Sequence, residues 1–259
     1  MIKFFRKIRQ SLLMENKTGK YFKYAIGEII LVVIGILIAL QINNWNEKRK
    51  ASNEEIKILK ALEADFKVSK QRIEETIKIQ SRVMDYSQIL INIHENRNQN
   101  QFQYFDTHLD SLNNLIAYGI SWYRAEPITG AYNSLTNSGK IDLIKNEELR
   151  HLLAQFIADF DSGFEDQESA MLLLDKLNDD TNHFILKIAD NKFRKRFNYN
   201  LRKIDSIKIA ESFFTNDSFF GNLYLKSVLE YNRILRQKQL LEQSKSILKI
   251  INDELENKK

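Results

Sequence analysis

The sequence predicts an all-α protein: one N-terminal transmembrane helix followed by an elongated helical bundle with long amphipathic helices. Three observations point there. Tyr24–Ile42, YAIGEIILVVIGILIALQI, is a nearly continuous apolar run. After it, apolar residues recur at three- and four-residue spacing, and no stretch sustains the period-two alternation of a strand. Pro occurs once and Gly eight times, so the residues that interrupt helices are scarce. The chain divides into a basic head (1–23), a span (24–42) and a helical body (43–259).

The head carries Lys3, Arg6, Lys7, Arg9, Lys17, Lys20 and Lys23 against Glu15, a net +6. The whole chain is +5, so the other residues sum to −1. The basic character is therefore local to the head and is not the footprint of a nucleic-acid binder, and no nucleic-acid partner is expected. Ile2, Phe5, Ile8, Leu12 and Leu13 fall at helical spacing, with the bases mostly opposite. This is the pattern of a helix lying on anionic lipid headgroups. A signal-anchor head without fixed structure fits the same charges. Asn16–Gly19 reads as a short break.

Ile29–Leu40 holds no charge, and 24–42 as a helix covers about 28 Å, close to the hydrocarbon thickness of a bilayer. Bases cluster before the span, and the mixed run Glu47-Lys48-Arg49-Lys50 follows it. The positive-inside rule then places the N-terminus in the cytoplasm and the body outside it, single-pass in a bacterial inner membrane with a periplasmic domain. No A-x-A-like cleavage site follows the apolar run, which argues against a removed signal peptide. Gly27, Gly35 and Ala39 share one face with Leu31, a small-residue stripe on which two spans can approach closely. Chance placement of small residues in an apolar segment produces the same stripe. Glu28 is the one ionisable group within the span and a functional candidate. Snorkelling toward the headgroups near Lys20 and Lys23 is its plainer explanation. Trp45 marks the outer interface.

From about Glu47 to Asn96 the chain reads as one long helix, with an apolar stripe of Ile56, Leu59, Leu62, Phe66, Ile73, Ile77, Met84 and Leu90 or Ile91. The gap at Lys67–Arg72 suits a bundle helix better than a strict coiled coil. His94–Gln103 reads as a polar loop and Thr107–Ala117 as a short helix. Tyr118–Lys140 is the least helical part, with Pro127 at the start of a turn and Gly139 as a helix-closing residue. Asn146, followed by Glu147 and Glu148, is a helix start, and that helix runs to about Ala189. Asn191–Asn200 is a basic, aromatic connector, and Leu201–Glu211 a further short helix. Asp217 or Ser218 caps a final helix whose buried side is Phe220, Tyr224, Val228, Tyr231, Leu235, Leu241, Leu248, Ile251 and Leu255. Together these predict an antiparallel bundle.

The sequence excludes more chemistry than it suggests. There is no cysteine, hence no disulfide or thiol chemistry. His94, His108, His151 and His183 form no ligand spacing, and Glu165-Asp166-x-Glu168 and Asp179-Asp180 read as solvated faces. No metal site is expected. No phosphate loop or nucleophile elbow is present, so no cofactor and no catalytic residue is expected. The basic, aromatic run Lys192–Phe197 reads as a surface for lipid headgroups or a partner. The place to look for a partner or ligand site is Tyr118–Lys140, which gathers Trp122, Tyr123, Arg124, Tyr132, Asn133, Ser138 and Lys140 between helices. A packed knuckle closing the bundle would use the same aromatic residues.

The head and span, MIKFFRKIRQ followed by KYFKYAIGEIILVVIGILIALQINNWNEKRK, closely resemble the N-terminus of a family of uncharacterised single-span proteins from Bacteroidota-type bacteria. AYNSLTNSGKIDLIKNEELRHLL resembles that family's middle part. The resemblance implies a membrane anchor with a helical extracytoplasmic domain, and it carries over no catalytic or binding residues.

The leading expectation is a non-enzymatic, membrane-anchored interaction or scaffold protein. Its partners would be the bilayer and either a second copy or another membrane or periplasmic protein. A ligand-sensing domain with a pocket near Trp122 and Tyr132, and a small oligomeric pore using Glu28, are the alternatives.

Overall fold

A computed structural model describes residues 18–163, 167–188 and 209–258, without the side chains at 18, 20, 21, 24 and 183–188. The described residues form helices and no strand. They are α1 (Thr18–Asn96), α2 (Gln99–Thr107), α3 (Leu109–Gly119), α4 (Gly130–Asn137), α5 (Glu147–Ser162), α6 (Gln167–Ile188), α7 (Ile209–Phe214) and α8 (Asp217–Asn257), with a 3-10 turn at Ile141–Leu143. The chain divides into two units, Met1–Lys57 and Ile58–Lys259.

In the first unit, α1 is long and apolar enough to cross a membrane, and its apolar window is not buried. Ile29, Leu31, Ile34, Leu37 and Leu40 are all more than half exposed, apart from Ile34 at 50%. Helix is assigned from Thr18, so the break expected at Asn16–Gly19 does not include Thr18 and Gly19. The amphipathic pattern of 1–14 lies outside the described residues.

The second unit is a helical bundle. On α1, one line of inward residues, flanked by Ile93, is Leu59, Leu62, Phe66, Ser69, Ile73, Thr76, Gln80, Val83, Ser87, Leu90 and His94. Their spacing alternates three and four without interruption, the arithmetic of a coiled-coil seam. The expected gap in the stripe is therefore corrected: the seam continues through polar residues. Ser69, Gln80 and Ser87 of the seam, with Asp65 and Arg72 beside it, hold the link between α3 and α4, which runs back along α1. Ser87 Oγ donates to Gly119 O (2.7 Å) and Gln80 Nε2 to Tyr123 O (3.0 Å). Arg72 Nη1 donates to Glu126 O (3.0 Å), and Ser69 Oγ accepts from Ile128 N (2.8 Å). Asp65 Oδ2 accepts from Ala131 N (2.7 Å), in the first turn of α4. An extended link has backbone groups that no helix satisfies, and a stripe of hydroxyls, amides and charges satisfies them. At Gly119 a Cβ would come within 2.9 Å of Leu90 Cδ1, so a larger residue there would have to displace that buried side chain.

Several boundaries differ from those expected. His94–Asn96 belong to α1, and the polar "loop" shrinks to Arg97 and Asn98. Arg97 takes the left-handed backbone (φ 47°) and Asn98 caps α2 by accepting from Gln101 N. α3 begins and ends two residues later than expected. Pro127 lies in the extended link, and α4 begins at Gly130. Gly139 does close a helix. Its φ is 66°, its N–H donates to Thr136 O, and Lys140 N–H donates to Leu135 O, the double bond of a Schellman motif. Asn146 caps α5 by accepting from Leu149 N (2.9 Å), as its sequence context predicts. The helix it starts ends at Ser162, with Gly163 at the cap, and does not run on to Ala189. Asn216 caps α8, one residue before the expected cap, by accepting from Phe219 N (3.1 Å). Asn191–Asn200, Glu165, Asp166 and most of Leu201–Glu211 lie outside the described residues, as does the side chain of His183.

Two apolar cores result. One is aromatic: Phe102, Phe213, Phe214, Phe219 and Phe220 pack with Leu90, Leu112, Ile116 and Leu223. His94 stacks on Phe220 at 4.1 Å and its Nδ1–H donates to Phe214 O (2.8 Å). The other is mostly aliphatic: Leu59, Leu62, Ile73, Leu149, Leu153, Leu240, Ile247 and Ile251 around Phe66 and Phe156. α8 reaches both cores.

Candidate functional site

Between the two cores, α8 inverts the usual distribution of polarity. Its inward positions continue the three–four alternation from Leu223 to Leu240 through Lys226, Glu230, Arg233 and Gln237, each at most 2% exposed. Across from them lie Gln80 and Ser87 of α1 and the start of the α3–α4 link. Lys226 Nζ donates to Gly119 O (3.1 Å) and stands 3.8 Å from Glu230 Oε2, an ion pair too long for a hydrogen bond. No hydrogen bond of normal length reaches either Glu230 oxygen, though Gln80 and Lys226 stand close enough to favour its charged form, and the side-chain amide of Gln237 has no partner among the described residues. The Arg233 guanidinium lies 3.8 Å from the centre of the Trp122 ring, a cation–π contact. Burial pushes the Lys226 amine down to about 8, against the pull of Glu230. Burial pushes the Glu230 carboxyl up, against Lys226 and Arg233.

The outward face of the same stretch is apolar. Tyr224 (61%), Leu225 (53%), Val228 (44%), Tyr231 (53%) and Leu235 (46%) are exposed. Tyr224, Val228, Tyr231 and Leu235 form a second three–four seam, so this corrects the buried side expected for α8: these four face outward. Between Asp217 and Arg236, every charged residue of α8 is buried, so the outward face carries no charge. Beside it, Met84, Gln88 and Ile91 of α1 and Tyr224, Ser227, Val228 and Tyr231 of α8 line a groove of about 270 Å³.

The residues singled out in Tyr118–Lys140 go to different places. Trp122 is half-buried at the polar layer, and Tyr123 contributes its carbonyl to Gln80. Arg124 is exposed, reaches Gln167 Oε1 (2.9 Å) and lies 5.5 Å from the Phe160 ring. Tyr132 packs against the aliphatic core. Asn133 donates to Thr129 Oγ1, Ser138 donates to Leu135 O, and Lys140 is exposed. In the first unit, a Cβ at Gly27 or Gly35 would meet nothing within 4 Å, Ala39 is exposed and Glu28 is half-buried. Among the described residues, no group of three or more His, Asp or Glu could hold a metal ion.

Sequence reasoning missed Lys226, Glu230, Arg233 and Gln237. Their signal was present: they stand in phase with Leu223 and Leu240. Charge alone argued for the outside, and Tyr224, Val228, Tyr231 and Leu235 offered an apolar stripe of equal regularity.

The model of a family of unknown function, DUF6090, matches residues 28–162, just over half of the chain. No curated protein and no solved structure matches it.

Proposed function

We propose, for a chain that belongs to the DUF6090 family of unknown function, a membrane-anchored helical interaction protein. The span would hold it in a bacterial inner membrane with its N-terminus in the cytoplasm, and the bundle would engage a partner in the periplasm. The apolar helix of the first unit supports the anchor, and the charge asymmetry around it supports the orientation. The observation that carries the interaction role is the uncharged outer seam of α8, Tyr224, Val228, Tyr231 and Leu235, beside an apolar groove. A cluster of exposed apolar residues on a polar protein marks an interaction surface.

The test is fractionation of cells expressing the full chain, followed by protease treatment of spheroplasts. Retention in the membrane after alkaline extraction, with the bundle digested from outside, is the expected result. Release by alkali, or protection of the bundle, would overturn the anchor or its orientation respectively.

A ligand-sensing role is the second reading, favoured by buried Glu230 and Gln237, in the layer where Arg233 meets Trp122. Screening small polar ligands for a rise in melting temperature that Glu230→Gln abolishes would test it. A rise that persists in Glu230→Gln would place the ligand elsewhere.

A further inference from the structure

We infer that the outer seam of α8 is a docking surface for a second copy of this chain. This rests on the membrane-anchored reading above and names the partner of its surface.

Helix α8 carries two seams at the same spacing. One, through Lys226, Glu230, Arg233 and Gln237, is filled from within the bundle. The other, through Tyr224, Val228, Tyr231 and Leu235, has the pattern by which a helix meets another helix, and it lies on the surface. Exposed charges stand beyond the seam: Asp85 on α1, and Asp217 and Arg236 on α8. The apolar area is thus bounded.

Its size argues for the occupant. Two half-exposed tyrosines and three aliphatic side chains present roughly 500 Å². A stable interface between proteins free in solution takes about 800 Å² from each partner. The seam is too small to capture a soluble partner tightly. Two copies anchored in one membrane meet at a much higher effective concentration, so a small interface suffices between them. The face also contains no charge, so setting it against its own copy brings no like charges together at its centre. In a two-fold arrangement, Val228 and Tyr231, at the middle of the seam, lie nearest the axis.

The absence of cysteine makes the test direct. Full-length Val228→Cys would be reconstituted in phosphatidylethanolamine–phosphatidylglycerol vesicles and oxidised, with Arg82→Cys as the collision control. A disulfide-linked dimer is expected at about ten times the control yield, given the effective concentration of a docked pair. Adding Tyr231→Glu should return the yield to the control level with helical circular dichroism unchanged. Equal yields at 228 and 82 in vesicles that carry the protein would overturn the inference, as would a yield indifferent to Tyr231→Glu. Val228→Cys that neither dimerises nor reacts with a maleimide would mean that this chain itself covers the seam, and would overturn it too. Flotation of the vesicles reads the anchor separately. Protein left at the bottom of the gradient would refute the membrane reading, whatever the oxidation shows.

Discussion

The two halves of α8 are built on one spacing and opposite chemistry. From Leu240 to Ile251 the inward residues are mainly aliphatic, and exposed Lys245 and Lys249 lie outside. From Lys226 to Gln237 the inward residues are mostly charged or amide-bearing, and Tyr224, Val228, Tyr231 and Leu235 lie outside. What differs is the surface each half meets. The C-terminal half packs in the core with Leu59, Leu62, Ile73 and the residues of α5. The N-terminal half faces the end of α3 and the link that leaves it, where Lys226 of α8 donates to Gly119 O and Gln80 of α1 to Tyr123 O. Helical seams take their chemistry from what lies opposite, and backbone left outside secondary structure brings polar side chains inward.

The largest effect should come from breaking the inverted half. Glu230→Ala leaves Lys226 as a buried charge without its counter-ion, and a loss of about 3–5 kcal/mol in urea unfolding is expected. Lys226→Met, Glu230→Leu and Arg233→Met together remove the three buried charges, and Gly119 O keeps its bond from Ser87. That triple variant should be neutral or more stable by about 1–4 kcal/mol. A triple variant as damaged as Glu230→Ala would show that the charged layer itself, and not the orphaned charge, holds this region. In the other half, Ile247→Ala should cost about 2–5 kcal/mol through a cavity.

Acid–base behaviour sharpens the contrast. Lys226 is held at about 8 when folded against 10.5 when unfolded. Between those values the unfolded chain binds more protons, so stability should rise with pH from about 8 to 10.5, by at most about 1.4 kcal/mol per unit. Glu230 has the opposite sign: its raised carboxyl favours the folded state as pH falls toward 4.5. Lys226→Met should flatten the alkaline rise in melting temperature. A smaller loss, about 1 kcal/mol, is expected for Gly139→Ala, which forces a side chain into the left-handed backbone. The smallest belongs to the outer seam: Val228→Glu should change folding stability by less than about 0.5 kcal/mol.

Much of this architecture was legible in the sequence because its signals are local. The apolar run of α1, the Asn146 cap and the Gly139 closure each depend on residues that are neighbours in the chain. What failed to show depends on distant partners. Ser69 fell in the gap read at Lys67–Arg72, and Gln80 and Ser87 stood outside the apolar stripe; they are the groups that fasten Ile128, Tyr123 and Gly119. The helix read from Asn146 to about Ala189 is divided at Gly163, within an apolar pattern that continues on both sides. Trp122 was legible as an unusual residue in an irregular segment, but its partner Arg233 lies 111 positions away, and no spacing connects them. On α8, two seams of equal regularity competed, and hydrophobicity favoured the one that lies outside.

The inverted polarity of α8 is tested most directly by the rate at which single cysteines react with a maleimide in dilute detergent, where the chain is kept apart from other copies. Tyr231→Cys and Leu235→Cys should react at least about tenfold faster than Gln237→Cys, whose site opens only with local unfolding. Faster reaction at 237 than at 231 and 235 would mean that the helix presents its apolar seam to the core, contradicting both the polar layer and the docking face.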